Sequence, residues 1–575
     1  MTIDNMETTK YDTWPAVAAL NADWDRLLAQ NDVRNIFLTY EWHHTWWATY
    51  GADHTLYVLA VKNGGKLIGI APLMVKQVTR LGHTRRVIHF IGTPQADYSD
   101  IIGEDKPLIL THIFAYLRGH QEDWDKIDLT HIKEESHTLP ALRALLEKEH
   151  CRYRIKEIET CVSYVFEGQE SERATFELKR TRTLNKAHND LNNAGGLRLE
   201  EIRDTQQILS LLPAFFHCHI NRWMQTPTPS KFLGAEHRCF YEAMVRNLAP
   251  LGHVGLMILR HAEQPIAYFF VFSYDRIAYL YTPTHEMYYN RKSPGNILNN
   301  LLVRHFIRRG YVAVDHTRGA EQHKSAFANK TARNLEVAIY RRATGYALSQ
   351  AYEGIKKLLP IRKLDRISWL MRLKDRIYSY CLTHGLRASL LAGIRKFRRA
   401  LFSSDTMLVL EYQPFPLPDL TLPADITIEQ FTESDIETIA FFLGFEPGSR
   451  KHQVILERFQ RGGECFGFRY CGTMASIIWG IFKRDFSPGF NRELVLGDHE
   501  VLVGDGLTSP IFRGRGLQTL SLVYCLKRYT ARNLTIKALV AKDNLVSLRN
   551  CKKLNFKRIS SFRWVTVCGI RLPLR

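Results

Sequence analysis

The segment Thr508-Ser-Pro-Ile-Phe-Arg513-Gly514-Arg515-Gly516-Leu517-Gln518 carries the sharpest chemical signal in this 575-residue chain. It follows a predicted strand, HEVLVGDGLTS, and opens a predicted helix, QTLSLVYCLKRYTA. Glycines there let main-chain N–H groups converge, and the start of a helix adds positive dipole potential. Arg513 and Arg515 add fixed charge, so residues 513–518 form a candidate pyrophosphate-binding turn. About thirty residues on, Asn544 and Ser547 open a second helix that carries Cys551. Glu500 and Asp505, on the strand before the turn, are candidate general bases. Each reads equally well as a solvated surface carboxylate, because strand alternation alone does not place it in a cleft.

A second cluster, Asp315-His-Thr-Arg318-Gly319-Ala-Glu321-Gln-His-Lys324, follows the predicted strand YVAVDH. Charges at the end of a core strand in an α/β domain often line a cleft. Arg318 and Lys324 could hold a phosphate or carboxylate, and Asp315 or Glu321 could act as base. A structural ion-pair network accounts for the same residues equally well. Upstream, His219-Ile-Asn-Arg222-Trp223 offers Arg222 and Trp223 as substrate contacts. The turn Arg291-Lys-Ser-Pro294-Gly295 lies where the C-terminal segment has its phosphate turn, with one N–H donor removed by Pro294. Trp42, Trp46 and Tyr50 share one face of a predicted helix over 36–50, a stripe expected to pack in a core. His43 and His44 lack metal-ligand spacing to other candidates, so no metal is assigned.

These residues hang on elements that repeat one rhythm three times: helix, strands with tight turns, then helix and strand. TLYVLAV and KLIGIAPLMV flank Asn63-Gly64-Gly65, a hairpin signal. VGLMILR, PIAYFFVFSY and RIAYLYTPTH predict a meander followed by the helix NILNNLLVRHFIRRG. ECFGFRY, TMASIIWGIF and HEVLVGDGLTS predict another, ahead of the helix after the turn and the strand LTIKALVA. The reading is an α/β chain of three mixed-sheet units, over 1–170, 171–345 and 424–575. A basic helical and Pro-rich linker spans 346–423.

The chain carries 78 Lys/Arg against 58 Asp/Glu, a net charge of +20 that suits polyanionic partners. Residues 351–405 hold thirteen Lys/Arg against four Asp/Glu, nearly half of that excess. Leu386, Leu390, Ile394, Phe397 and Leu401 fall at helical spacing there, a basic amphipathic helix that either packs on a domain or contacts anionic lipid. Hydrophobic residues make up 45% and charged residues 24%, which excludes collagen-like, disordered and coiled-coil classes. No apolar run approaches the ~18–20 residues of a membrane span. Ten cysteines without a CxxC pair and a polar N-terminus predict a cytoplasmic protein with reduced thiols.

Residues 425–575 resemble the GNAT superfamily of N-acetyltransferases, in the order and spacing of the 513–518 turn and the Asn544/Ser547 helix that ends at Phe556. Gln518 stands where that pattern has Gly or Ala, Cys551 where many members have a tyrosine acid, and Asn555 where glycine precedes the phenylalanine. Residues 30–345 are similar to the CelD/BcsL-type acetyltransferases of exopolysaccharide biosynthesis. The carrying motifs are Asp97-Tyr98-Ser99-Asp100, Leu184 to Gly195, His219 to Trp223, Tyr289 to Gly295 and Asp315 to Lys324. The resemblance implies three GNAT-like units, with acetyl-CoA or another acyl-CoA as co-substrate and a sugar or cell-envelope precursor as acceptor. It also implies relatives among Fem-type ligases that take amino acids from tRNA, for which the net charge would serve RNA. RGRG at 513–516 favours the CoA donor and leaves nucleic acid the lesser partner. A CoA-binding, membrane-docked scaffold with reduced catalysis is the non-enzyme alternative. A cytoplasmic enzyme, peripheral to the inner face of the membrane through 351–405, is the resulting expectation.

Overall fold

The structure, a computed structural model, describes residues 6–80, 83–224, 226, 229–358, 402–418, 422–487, 492–567 and 570–574. The chain divides into two compact units. One comprises Met1–Leu212, Gly234–His285 and Arg291–Ser368, the other Pro213–Leu233, Glu286–Asn290 and Trp369–Arg575.

In the first unit the strands are β1 (Met6–Tyr11), β2 (His54–Leu56), β3 (Val58–Asn63), β4 (Lys66–Ala71), β5 (Leu73–Arg80), β6 (His83–Phe90) and β7 (Lys126–Lys133). There follow β8 (Arg152–Val165), β9 (Leu197–Ile202), β10 (Val254–His261), β11 (Gln264–Tyr274), β12 (Ile277–His285), β13 (Ala313–Arg318) and β14 (Lys330–Tyr340). Strands β1-β3-β4 form a small sheet, and the rest form one eleven-stranded sheet, β2-β5-β6-β7-β14-β8-β13-β12-β11-β10-β9. The two N-terminal repeats therefore share a sheet. Strands β8 and β14 lie between β7 and β13 and join the repeats.

The second unit holds β15 (Phe402–Tyr412), β16 (Ile426–Phe431), β17 (Glu464–Tyr470), β18 (Thr473–Ile481), the ribbon β19 (Arg484–Ser487) and β20 (Arg492–Val495), β21 (Glu500–Thr508), β22 (Thr535–Ala541), β23 (Phe556–Val567) and β24 (Ile570–Leu574). Its main sheet runs β16-β17-β18-β21-β22-β15-β23-β24. The helices that matter below are α1 (Tyr40–Tyr50), α2 (Lys106–Gly119), α3 (Thr205–Met224), α4 (Pro294–Arg308), α5 (Leu517–Thr530) and α6 (Leu545–Lys553). On α5, Leu517, Ser521, Leu522, Cys525, Leu526 and Tyr529 recur every three to four residues and are buried, so one helical face packs on the sheet. On α1, Trp42 and Trp46 are buried as the core stripe requires.

The expected rhythm recurs three times around one geometric device. Strand β6 pairs in parallel with β7 only at Val87–Lys126 and Ile88–Ile127. Strand β12 pairs with β13 only from Ile277–Ala313 to Tyr279–Asp315. Strand β21 pairs with β22 only from Glu500–Thr535 to Leu502–Lys537. In each case the first strand runs on without its partner, a helix follows (α2, α4 or α5), and the partner strand comes after it. Parallel neighbours need such a crossover, and here each crossover leaves its two strands splayed at its end.

The linker reading needs correction at its C-terminal side. Residues 402–412 are not linker but strand β15, antiparallel to both β22 and β23 inside the sheet. Its apolar run Met407-Leu-Val-Leu410 supplies Val409 and Leu410 to the interior. The N-terminal side of the linker reading continues as the helix Ala343–Leu358. The amphipathic stripe from Leu386 to Leu401 lies outside the described residues. Among the described residues, no helix is long and apolar enough to cross a membrane. Because Leu410 is buried in the core of the second unit, Leu410→Ala should cost about 2–5 kcal/mol, read from the urea midpoint.

Candidate active sites

At the wedge of the second unit, β21 and its neighbour β18 slip register between Ile477–Leu507 and Trp479–Gly504. The extra residues form a bulge in which Asp505 adopts φ +46°. Bulges of this kind release main-chain groups from the ladder beside clefts. The strand then ends at Thr508, and the hydroxyl of Ser509, the next residue, donates to Nδ1 of His217 at 2.7 Å. Nε2 of the same ring donates to Phe442 O at 3.1 Å. Burial pushes the His217 pKa down to about 4, so the ring stays neutral and holds the stem of the turn.

Residues 513–516 are exposed, while Leu517 anchors α5 in the core. Gly514 and Gly516 have φ of +82° and +75°, the left-handed region that disfavours other residues. A Cβ on either would meet no atom within 4 Å, so the space over the turn is open. Gly516 is the N-cap of α5 and no side chain caps the helix. The first N–H groups of α5 therefore lack an intrahelical partner and face that space, flanked by the arginines. Arg515 also lies over the Tyr470 ring, 4.6 Å from its centre.

The second motif joins this turn. Gln518 Nε2 donates to Ser547 Oγ at 3.2 Å, and Asn544 caps α6 by accepting from Ser547 N. Gln518 thus ties the two helix starts together rather than crowding the turn. The proposed proton-transfer residues are placed differently. Glu500 lies at the closed end of the wedge, where Lys537 and then the Gly497 N–H hold its carboxyl below the usual range. Asp505 is the bulge residue, and buried Arg458 holds its carboxylate at 2.5 Å. Cys551 is buried among the core residues, and burial pushes its thiol up to about 11.

In the first unit, motifs more than 200 residues apart converge at the end of β13. Tyr98 donates to Asp315 Oδ1 at 2.7 Å, the Thr317 N–H donates to the same oxygen, and Lys133 Nζ lies 3.7 Å from Oδ2. Arg318 is bonded to Asp97 at 2.5 Å, to His131 Nε2 at 2.9 Å and to Pro94 O. Lys324 donates to Arg318 O and pairs with Glu321. Arg318 and Lys324 are therefore committed to protein partners, and the ion-pair network is what the geometry builds. Burial, then the Arg318 charge, lower the His131 pKa to about 3, which keeps the acceptor nitrogen free. His131 and Thr317 both sit at positive φ, +62° and +60°, and for β-branched Thr317 that is strain concentrated at the cluster.

Arg222 and Trp223, expected in the second N-terminal repeat, belong by packing to the second unit, as does all of Pro213–Leu233. Trp223 stacks on His219, with ring centres 5.5 Å apart. Glu286, which the sequence did not mark, is also in this unit. It is 3% exposed and its Oε2 has no partner among the described residues. Burial raises its carboxyl to about 8, against a hydrogen bond from Cys218. No flanking signal betrays it, since one glutamate after an apolar strand reads as a surface residue.

Residues 179–325 match the family model described as an acetyltransferase (GNAT) domain. That stretch contains β12, β13 and the Asp315–Lys324 cluster. No curated protein matches the chain. Among solved structures, FemX is similar at 13% identity over 60% of this chain and 99% of its own, with a TM-score of 0.41. A conserved protein of unknown function from Bacteroides thetaiotaomicron is similar at 16% identity, over 58% of this chain and all of its own, with a TM-score of 0.38. A tandem GNAT protein from the clavulanic acid biosynthesis pathway is similar at 12% identity, over 58% of this chain and 98% of its own, with a TM-score of 0.35.

The Glu286 carboxyl is protonated in the fold at pH values where the unfolded chain has ionised it. Its contribution to stability is complete below its ordinary 4.5 and is lost as pH rises through about 8. Glu286→Gln should therefore flatten the decline of the urea midpoint between pH 5 and pH 9.

Proposed function

We propose that the chain is an acyl-CoA-dependent acyltransferase that transfers its acyl group directly to an amine or hydroxyl. The observation that carries this reading is the wedge between β21 and β22, with a bulge on one wall and an uncapped glycine turn at its mouth. The match of residues 179–325 to an acetyltransferase domain supports the same chemistry in the first unit. The acceptor is a sugar or cell-envelope precursor, as the resemblance of residues 30–345 implies.

In this reading the N–H groups at the start of α5, with Arg513 and Arg515, hold the CoA pyrophosphate. The acyl arm runs into the wedge, where main-chain N–H groups freed by the 504–507 bulge polarise the thioester carbonyl. The acceptor nitrogen or oxygen attacks that carbonyl, the C–S bond breaks, and the thiolate leaves. Glu500 and Asp505 are held by Lys537 and Arg458, so the acceptor proton passes to water and the thiolate takes one from water. The basic stretch of residues 359–401 holds the enzyme at the anionic inner face of the membrane.

Calorimetry of the full chain with acetyl-CoA should show binding, and Arg513→Ala with Gly516→Asp should weaken the second unit's site at least about tenfold. No acetyl-CoA binding by the wild-type chain would overturn the reading. Salt-dependent tRNA binding in its place would favour aminoacyl transfer from tRNA. Flotation with phosphatidylglycerol-containing vesicles should depend on residues 359–401, and unchanged flotation on their deletion would reduce that segment to a linker.

A further inference from the structure

The three wedges are not equivalent, and the differences fall on the same three features. The first is the bulge. β12 slips against β11 between Phe270–Thr282 and Val271–Leu280, just past its last pair with β13. β21 does the same against β18. β6 pairs with β5 in unbroken register from Leu73–Phe90 to Arg80–His83. The first wedge therefore has no main-chain groups turned out of the ladder on that wall.

The second feature is the helix start. α5 begins at Gly516 and α4 at Ser293, both left-handed and neither giving a side-chain cap. α2 begins at Asp105, whose carboxylate accepts from the Leu108 N–H at 3.0 Å. An internal anion already occupies the place that a phosphate would take. Pro107 removes a donor from that first turn, as Pro294 does in α4, so the cap is what separates the two.

The third feature is the wedge itself. Beyond its last pair with β6, β7 receives a main-chain hydrogen bond from the chain's own segment 97–102, whose far end is anchored on the small sheet. The Ser99 N–H donates to His131 O at 3.0 Å, and Ile102 exchanges two hydrogen bonds with Ile70 of β4, each 2.8 Å. All six residues are buried, none more than 6% exposed. Asp100 accepts from the hydroxyls of Ser136 and Thr138, and buried Lys106 donates to Ile101 O and Asn31. A Cβ on Gly103 would come within 2.6 Å of Ile68 O, so the chain leaves this plug with no spare space.

We propose that residues 97–102 are a built-in occupant of the first wedge, so that the first unit carries one acyl-donor cleft, between β12 and β13, rather than two. This inference rests on the acyltransferase reading for what the remaining clefts bind. The plug satisfies the His131 carbonyl of β7 that a ligand would otherwise meet, and its leading residues brace the neighbouring repeat. Tyr98 holds Asp315 and Asp97 holds Arg318, both at the end of β13.

Two measurements on the full chain test it. Ser293→Asp with Gly516→Asp places a carboxylate beside the first N–H groups of α4 and α5, where its charge opposes a pyrophosphate, at left-handed positions that aspartate tolerates better than most residues. The wild-type chain should bind two acetyl-CoA molecules, each single variant one, and the double variant none. One molecule bound by the double variant would overturn the proposal. Hydrogen exchange of the wild-type chain decides it independently of any variant. The Ser99 and Ile102 amides should exchange slowly and at the same rate with and without acetyl-CoA. Fast exchange there, or protection that changes with acetyl-CoA, would show a displaceable segment and overturn the plug. A wild-type chain that binds no acetyl-CoA but keeps these amides protected would sink the acyltransferase reading while leaving the plug intact.

Discussion

Two parallel strands that stop pairing leave main-chain donors and acceptors facing one another with no ladder to join them. Buried main chain does not stay unpaired, so whatever enters the gap must offer groups to bond. This constraint organises the whole chain. Each repeat opens the same gap by sending a helix between two strands that touch for only two or three residues. The repeats differ in what meets the gap. One is answered by the chain itself, through Ser99 on His131 O, and the others are left with bulged walls and uncapped helix starts.

The charged centre at β13 follows from the same economy of contacts. Asp315 is the last residue of β13 paired with β12 and Arg318 lies beyond it, and each takes a partner from the segment that fills the first wedge. A buried carboxylate and a half-buried guanidinium need such partners, because an unpaired charge there costs several kcal/mol. The strained Thr317 between them is held by its own N–H on Asp315. Losing Tyr98 would thus leave Asp315 dependent on Lys133 and the Thr317 amide alone.

Much of this was legible in the sequence where local pattern and tertiary role coincide. β17, β18, α5 and β22 fall within a residue or two of expectation, because their apolar residues alternate or recur at the period of the element that buries them. The phosphate turn was readable because glycine, arginine and a helix start are adjacent in the chain. β15 was not readable: its run follows a basic stretch, and its partners, β22 and β23, lie more than a hundred residues further on. The motifs around Asp97 and Arg318 were each visible, but their 221-residue pairing was not, so Arg318 looked available for a ligand. Glu286 was invisible for a plainer reason, since only tertiary packing buries it.

The second unit gathers Pro213–Leu233 as well as the C-terminal stretch, with His217 and Asn221 both bonded to Phe442 O. That makes it a discontinuous body rather than a bead on a string. During synthesis its first piece emerges well before the rest, with His217 lying 292 residues ahead of Ser509. Until then the ring of His217 has no Ser509 to bond. The C-terminal repeat is therefore not a module that can be exchanged between proteins by cutting in the linker. A chimera joined there would inherit the turn but lose the histidine that braces its stem.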